Sequence, residues 1–427
     1  MYIKEVKVSN IRNVDQLQLK FTESPGWHVL IGDNGAGKST ILRAIALAII
    51  GPSEATALRL ELDKYVRKGE SEGWIELNVE RDLELDRYTV TSRPLERPFD
   101  AGIKISKNDE NGRSIGKIEA LKEYKYAKRY IWSGRDGWFS ASFGPFRRFT
   151  GGNKDWNKVY YANPRAGAHL SVFGEDVALT ESLEWLRELN YKRLEGDAEA
   201  SALLENLRSF INEGKLLPHD SAIEDVSSEG VQLRDGNGHQ IDITEMSDGF
   251  RSILSLTFEL LRQMVLVYGS RKVFQNVTEG DYTIPMPGIV LVDEIDAHLH
   301  PTWQARIGTW FTQYFPKVQF IVTTHSPIIC RAAEQGSIWR LAAPGSSRPS
   351  GEVTGIEKKR LVFGNILDAF STELFGAETS SSQKTTEMLE ELASLNKKSV
   401  LGVISNQEKS RREELLRILP TTKPSAQ

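Results

Sequence analysis

The chain opens on two stretches that alternate apolar and polar positions. Residues 2–8 and 15–21 do so around Ser9-Asn10-Ile11-Arg12-Asn13, which predicts a hairpin-like entry to a sheet. Trp27-His28-Val29-Leu30-Ile31 is short and largely apolar, so it predicts a buried strand. The run Ile41–Ile50 is mostly apolar and predicts a helix, stopped by Gly51-Pro52. Alternation returns within residues 73–93, in Trp74–Glu80 and Leu83–Leu85, and predicts antiparallel strands. Residues 94–118 are rich in Pro, Gly, Asn and charge and are expected to be a loop or a mobile insertion. A possible helix over 120–131 interleaves Lys122, Lys125, Lys128 and Arg129 with Tyr124, Tyr126 and Tyr130.

Further along, Leu179, Leu183, Leu186 and Leu189 recur at helical spacing, as do Leu203, Leu204, Leu207, Phe210 and Ile211. They predict helices over 179–195 and 197–213, too short for a long coiled coil. Residues 222–243 read as a hairpin around Asp235–Gly238, followed by a helix from Phe250 to about Tyr268. Ile289–Val292 and Phe320–Thr324 are apolar runs of the kind buried in a parallel sheet, with a helix beginning near Thr302 between them. Two short strand-like stretches follow residue 330, then charged helical sequence to a frayed end at 421–427. The alternation of strands and helices predicts an α/β fold with a parallel-rich core, an antiparallel β-lobe and an inserted helical lobe.

Bulk properties narrow the function only slightly. The 427 residues are 40% apolar and 26% charged with net charge −4, so there is material for a sizeable core and no global basic field. One cysteine, Cys330, rules out an internal disulfide and is expected to be a small buried hydrophobe. The longest apolar run, Ile45–Ile50, is too short to span a bilayer, and the first residues lack the apolar core of a signal peptide. The expectation is a soluble cytoplasmic protein.

The chemistry begins at Gly32-Asp33-Asn34-Gly35-Ala36-Gly37-Lys38-Ser39-Thr40, which matches G-x-x-x-x-G-K-[ST] between a strand and a helix. Glycines let the backbone turn N–H groups onto a polyphosphate, and a helix N-terminus adds partial positive charge. Asn34 through Thr40 are therefore candidate ATP-binding residues, with Lys38 on the β- and γ-phosphates and Ser39 on Mg²⁺. Asp293-Glu294 follows an apolar strand, as a Walker B pair does: Asp293 would hold Mg²⁺ and Glu294 would polarise the attacking water. His325 closes the next apolar strand and is a candidate for contacting the γ-phosphate; the alternative is an ordinary loop histidine. Ser247-Asp248-Gly249 sits at a helix start, where Ser247 or Asp248 could simply cap the helix or the free N–H groups could meet an anion.

Phosphate loop, Ser-x-Gly before a helix, Asp-Glu and then His, in that order, resemble the ABC-type ATPases. The resemblance is to their RecF- and SMC-like branch and its overcoming-lysogenisation-defect relatives, over roughly residues 1–50 and 220–345. Asn10-Ile11-Arg12 resembles an early Asn-Phe-Arg element, Met246–Phe250 the signature motif, and Asp293–Pro301 the Walker B and D-loop. The resemblance implies two protomers sandwiching two ATP molecules, each site completed in trans by Ser247 and Gly249, with Arg12 near the phosphates. His298 and His300 look like metal ligands but are expected to be loop residues. No Gln lies between Gln18 and Gln232, so the usual Q-loop glutamine is missing; Phe143–Phe149 is the expected substitute, with Arg147 or Arg148 near phosphate or substrate.

The resemblance implies an ATPase domain over 1–345, with an insertion carried by about 94–215. A mainly helical extension over 346–427 is a possible partner-docking region, through Lys397-Lys398 and Arg411-Arg412. After Asp296 the only Asp is Asp368 and no His follows His325, so no nuclease is expected in the chain. Leu361–Leu367 and Glu373–Gly376 resemble the tails of ATPases from two-component bacterial defence systems of the Septu and retron-associated kinds. The expected function is an ATP-switched homodimer or larger assembly that senses DNA or phage and controls a separate nuclease or toxin. Two alternatives are a RecF-like DNA repair ATPase and a scaffold that uses ATP with little turnover.

Overall fold

In the computed structural model the first two strands, β1 (Tyr2–Ile11) and β2 (Val14–Lys20), form the expected hairpin. The structure describes residues 1–87, 97–110, 113–121, 124–133, 137–147, 149, 162–174, 179–227, 230–277, 280–343, 345, 346, 349–364, 383–401 and 404–418. After β3 (Gly26–Ile31), strands β4 (Glu72–Glu80), β5 (Phe99–Glu110) and β6 (Arg113–Ala120) extend that hairpin into an antiparallel sheet ordered β2-β1-β4-β5-β6.

Three sequence expectations change in this lobe. The described part of 94–118 is not a loop but two paired strands, β5 and β6. Ala101, Ile103 and Ile105 are buried at every second position, an alternation outweighed in the sequence by the surrounding Pro, Gly, Asn and charged residues. The glycines that looked like turn signals mark close approaches instead. A Cβ on Gly116 would lie 2.2 Å from the backbone nitrogen of Asp63, and one on Gly102 would lie 2.4 Å from the Tyr124 ring. Leu83–Leu85 is in turn a tight turn rather than a strand, because the Asp82 carboxylate accepts from the N–H groups of Glu84 and Leu85, both at 3.0 Å. The helix expected over 120–131 is confined to Lys125–Arg129.

The remaining strands are β7 (Ser140–Phe143), β8 (Ala222–Val226), β9 (Val231–Arg234), β10 (Gln240–Asp242), β11 (Gly288–Val292), β12 (Val318–Thr324), β13 (Gly336–Arg340) and β14 (Gly351–Glu352). The expected hairpin of 222–243 gains β8 and becomes a three-stranded sheet. The central sheet runs β14-β13-β3-β12-β11-β7, parallel throughout except for the β14 edge. Its strands face two separate cores, as the period-2 geometry of a strand requires. Trp27, Val29, Ile31, Val290, Val292, Phe320 and Val322 enter one. Leu30, Ile289, Leu291 and Ile321 enter the other, shared with the antiparallel sheet.

Helix α1 (Lys38–Ile50) fills the second core, and every residue of it except Ser39 and Arg43 is buried, which explains its apolar circumference. Helices α2 (Thr180–Leu194), α3 (Ala198–Glu213), α4 (Asp248–Tyr268) and α5 (Pro301–Tyr314) pack into the first core. Asp197 caps α3 by accepting from the N–H groups of Glu199 and Ala200. Near the C-terminus, α6 (Gln383–Val400) and α7 (Asn406–Ile418) pack on each other through Leu392, Leu395 and Leu415. Among the described residues no helix is long and apolar enough to cross a membrane. The chemistry-bearing loops follow β3, β11, β12 and β7, so all leave the same carboxyl edge of neighbouring strands, where ligands bind in α/β sheets.

Candidate nucleotide site

The phosphate loop is shaped by its glycines. Gly37 has φ +96° at the N-cap of α1, and a Cβ there would also crowd Val14 at 3.1 Å and the Asn13 amide at 3.2 Å. The first intrahelical bond runs from Ile41 N to Gly37 O, and no side chain caps the helix. The first-turn N–H groups of Lys38, Ser39 and Thr40 are therefore free to meet an anion. Lys38 Nζ donates to the carbonyls of Gly32 at 2.7 Å and Asp33 at 3.1 Å, across the mouth of the loop. Burial pushes the Lys38 pKa down, against the opposing pull of Asp293, Glu294, Asp33 and Asp296. The β1–β2 turn braces the loop from outside, with the Asn13 amide donating to Gly35 O.

The acidic pair meets this loop directly. Ser39 Oγ donates to Asp293 Oδ1 at 3.0 Å. Thr323 Oγ1 donates to the same oxygen at 2.6 Å and accepts from Glu294 N at 2.7 Å. Asp293 is buried, while Glu294 is half-buried and sits at φ +46°, a conformation that costs a non-glycine residue about 1–3 kcal/mol. A hydroxyl and a carboxylate oxygen this close suit Mg²⁺, which takes one or two protein oxygens and fills its octahedron with water and phosphate. His325 follows Thr324 at the exposed end of β12. Thr323 was not singled out by the sequence; its position before a strand-end His is its only signal.

The signature stretch faces solvent. Ser247 takes the N-cap position of α4 but forms no side-chain cap bond, and both it and Asp248 are exposed. Gly249 is buried, and a Cβ on it would lie 2.9 Å from the His298 carbonyl, so the D-loop passes directly over it. His300 caps α5 through the N–H of Thr302. His298 lies in the turn that follows β11 and His300 directly precedes α5; among the described residues no group of three or more His, Cys, Asp or Glu side chains is placed to hold a metal.

The expectation for Phe143–Phe149 is corrected in its chemistry. The segment does follow β7, the neighbour of β11. Arg147 is, however, buried, and it turns toward protein carbonyls rather than a phosphate. It donates to Gly144 O at 2.9 Å, Asp293 O at 2.8 Å and Glu294 O at 3.0 Å, and its Nε donates to Ser252 Oγ of α4 at 2.9 Å. Burial lowers its pKa to about 10, which leaves it charged at neutral pH. Arg148 lies outside the described residues.

Arg12 lies in the turn that braces the loop, with its guanidinium carbon 4.2 Å from the Tyr65 ring centroid. A cleft of about 460 Å³ opens beside the loop, lined by Asn13, Val14, Leu17, Gly35, Arg67 and Leu341 among others, a size suited to a small ligand. In the basic-tyrosine stretch, Tyr130 is buried against Phe99 and Trp138, while Lys125, Tyr126, Lys128 and Arg129 are exposed; Lys122 is outside the described residues. In the C-terminal pair, Arg411 bonds Glu391, Lys398 bonds Glu408 and Arg412 bonds Asn396, so three of the four basic residues expected to dock a partner already join α6 to α7. Asn365–Leu367 and Glu373–Gly376 lie outside the described residues.

Known proteins resemble the chain in sequence and in fold. The family described as "AAA domain, putative AbiEii toxin, Type IV TA system" matches residues 28–331. The Septu protein PtuA of Bacillus mycoides (strain KBAB4) is 25% identical over 349 residues, 79% of this chain; the chain spans only 40% of that protein's length. The "Retron Ec83 probable ATPase" of Escherichia coli is 25% identical over 400 residues, 79% of this chain and 71% of the relative. An SMC head solved with the C-winged helix domain of ScpA superposes with a TM-score of 0.50 at 16% identity, over 83% of this chain and 98% of that one, a likeness of fold alone. With its family matched over well more than half of its length, the chain belongs to the AAA-domain ATPases of the AbiEii description.

Proposed function

We propose that two copies of the chain close on two ATP molecules and that hydrolysis reopens them. Each site would combine the phosphate loop of one copy with Ser247 and Gly249 of the other. One observation carries this reading: Ser39 and Thr323 hold Asp293-Glu294 against the phosphate loop, while Ser247 stands exposed at a helix N-terminus without a cap bond. Lys38 and the N–H groups of residues 34–40 would bind the phosphates. Ser39 and Asp293 would hold Mg²⁺, whose charge offsets that on the β- and γ-phosphate oxygens. Glu294 would accept the proton of the water that attacks the γ-phosphorus, as the bond to the ADP oxygen breaks. His325 would orient that water, and Arg12 would lie near the phosphates.

The closed state would be read by a separate nuclease or toxin in an antiviral pair; the similarity to a Septu protein and to a retron ATPase supports this reading. Nucleic acid is the proposed trigger, through phosphate contacts at Lys125, Lys128 and Arg129 and stacking on Tyr126. The proposed setting is cytoplasmic. The test is ATP turnover and molar mass for wild type and Glu294→Gln, with and without duplex DNA. Loss of turnover with an ATP-dependent rise in mass supports the reading, and stimulation by DNA supports the trigger. Normal turnover in Glu294→Gln removes the assigned base. A constant large mass without hydrolysis would favour a scaffold.

A further inference from the structure

We infer that Arg147 is a positioning residue that couples the signature helix to the catalytic carboxylate of its own copy. The inference rests on Glu294 as the base and Ser247 as the contact to the opposite nucleotide. Arg147 carries five N–H donors in a fixed fork. Its contacts span the two structures that must communicate. One side of the fork holds the backbone carbonyls of Asp293 and Glu294, and Nη2 also reaches Ile295 O at 3.5 Å. The other side, Nε, holds Ser252 Oγ, five residues along α4 from Ser247.

The backbone of Glu294 is thereby fixed from two directions. Thr323 Oγ1 accepts its N–H, and Arg147 donates to its carbonyl. These bonds lock a residue at φ +46°, while its carboxylate stays half-exposed and free to act. Ser252 and Arg147 are both buried, so the link is shielded from competing water. A shift of α4, when Ser247 engages a nucleotide on the other copy, moves Ser252 and with it the fork. The fork then changes the aim of Glu294. Closure and chemistry are linked by side chains of one copy, without a glutamine at this position.

Ser252→Ala separates this role from a structural one, because it removes only the bond to α4 and leaves the carbonyl clamp in place. The expected result is a fall in kcat of about tenfold, with ATP affinity and ATP-dependent molar mass within twofold of wild type. Arg147→Lys keeps the charge but loses the fork, so kcat falls further, and adding Ser252→Ala to it changes kcat by less than twofold. Retention of wild-type kcat in folded Ser252→Ala overturns the inference, as does a loss confined to KM or to the unfolding midpoint. If Arg147→Lys does not fold, Ser252→Ala alone decides. Glu294→Gln is measured alongside: if it hydrolyses ATP normally, the assignment of the base fails; if it is inactive while Ser252→Ala is fully active, only the coupling fails.

Discussion

Ser39 and Asp293 lie 254 positions apart and share a 3.0 Å hydrogen bond. The parallel sheet makes this contact. β3 delivers the phosphate loop and β11 the acidic pair, with β12 between them supplying Thr323. The bond places a hydroxyl and a carboxylate oxygen where a hard divalent cation would join them to a phosphate chain.

If that is their task, Ser39→Ala should lose the Mg²⁺ dependence of nucleotide binding rather than the fold. Titration with a fluorescent ATP analogue should show wild-type affinity falling by about tenfold when Mg²⁺ is chelated, a loss of order 1.4 kcal/mol. Ser39→Ala should bind weakly with or without the cation. Equal Mg²⁺ dependence in the two proteins would remove Ser39 from the site.

Thr323 holds both acids, one through Asp293 Oδ1 and the other through the Glu294 N–H. Thr323→Val preserves shape and strands both partners, so urea unfolding should show a loss of about 1–3 kcal/mol. Turnover should fall with it, and Thr323→Ser should recover both. Full activity in Thr323→Val would mean that Glu294 is held in place by other contacts.

Two histidines set an acid limit on the fold. Burial holds the pKa of His28 and of His169 down to about 3, from 6.5. His169 is pinned between Ser140 at 2.9 Å and Ser142, and its ring also feels Arg165. With the folded pKa below the unfolded one, each contributes stability present above pH 6.5 and lost as pH falls toward 3. At pH 5 the loss is about 2 kcal/mol per histidine. Unfolding curves at pH 7 and pH 5 should show it, and His169→Gln should flatten the slope. An unchanged slope in that variant would mean His169 titrates normally in the folded chain.

The site was legible in the sequence where one short motif carries its own chemistry. The phosphate loop, Asp293-Glu294 and the strand ends needed only local pattern and order. What was missed depends on contacts between distant segments. Thr323 and Ser252 are ordinary residues of a strand and a helix until folding sets them beside Asp293 and Arg147. From the sequence, either Arg147 or Arg148 is expected near phosphate or substrate; Arg147 is buried and donates to the carbonyls of Gly144, Asp293 and Glu294. The β5–β6 arm was hidden because Gly102 and Gly116 are required by close approach and not by turns.

The central claim is that each ATP site is shared between two copies, and mixing two inactive variants tests it most directly. Lys38→Ala removes the phosphate-loop charge, and Ser247→Arg blocks the exposed signature face. Each alone should be inactive. Random pairing of equal amounts makes half of the dimers mixed, each with one intact site of two, so turnover should return to about a quarter of the wild-type rate per chain. Mixtures that stay inactive, although both variants fold and form ATP-dependent assemblies with each other, would contradict sites completed in trans.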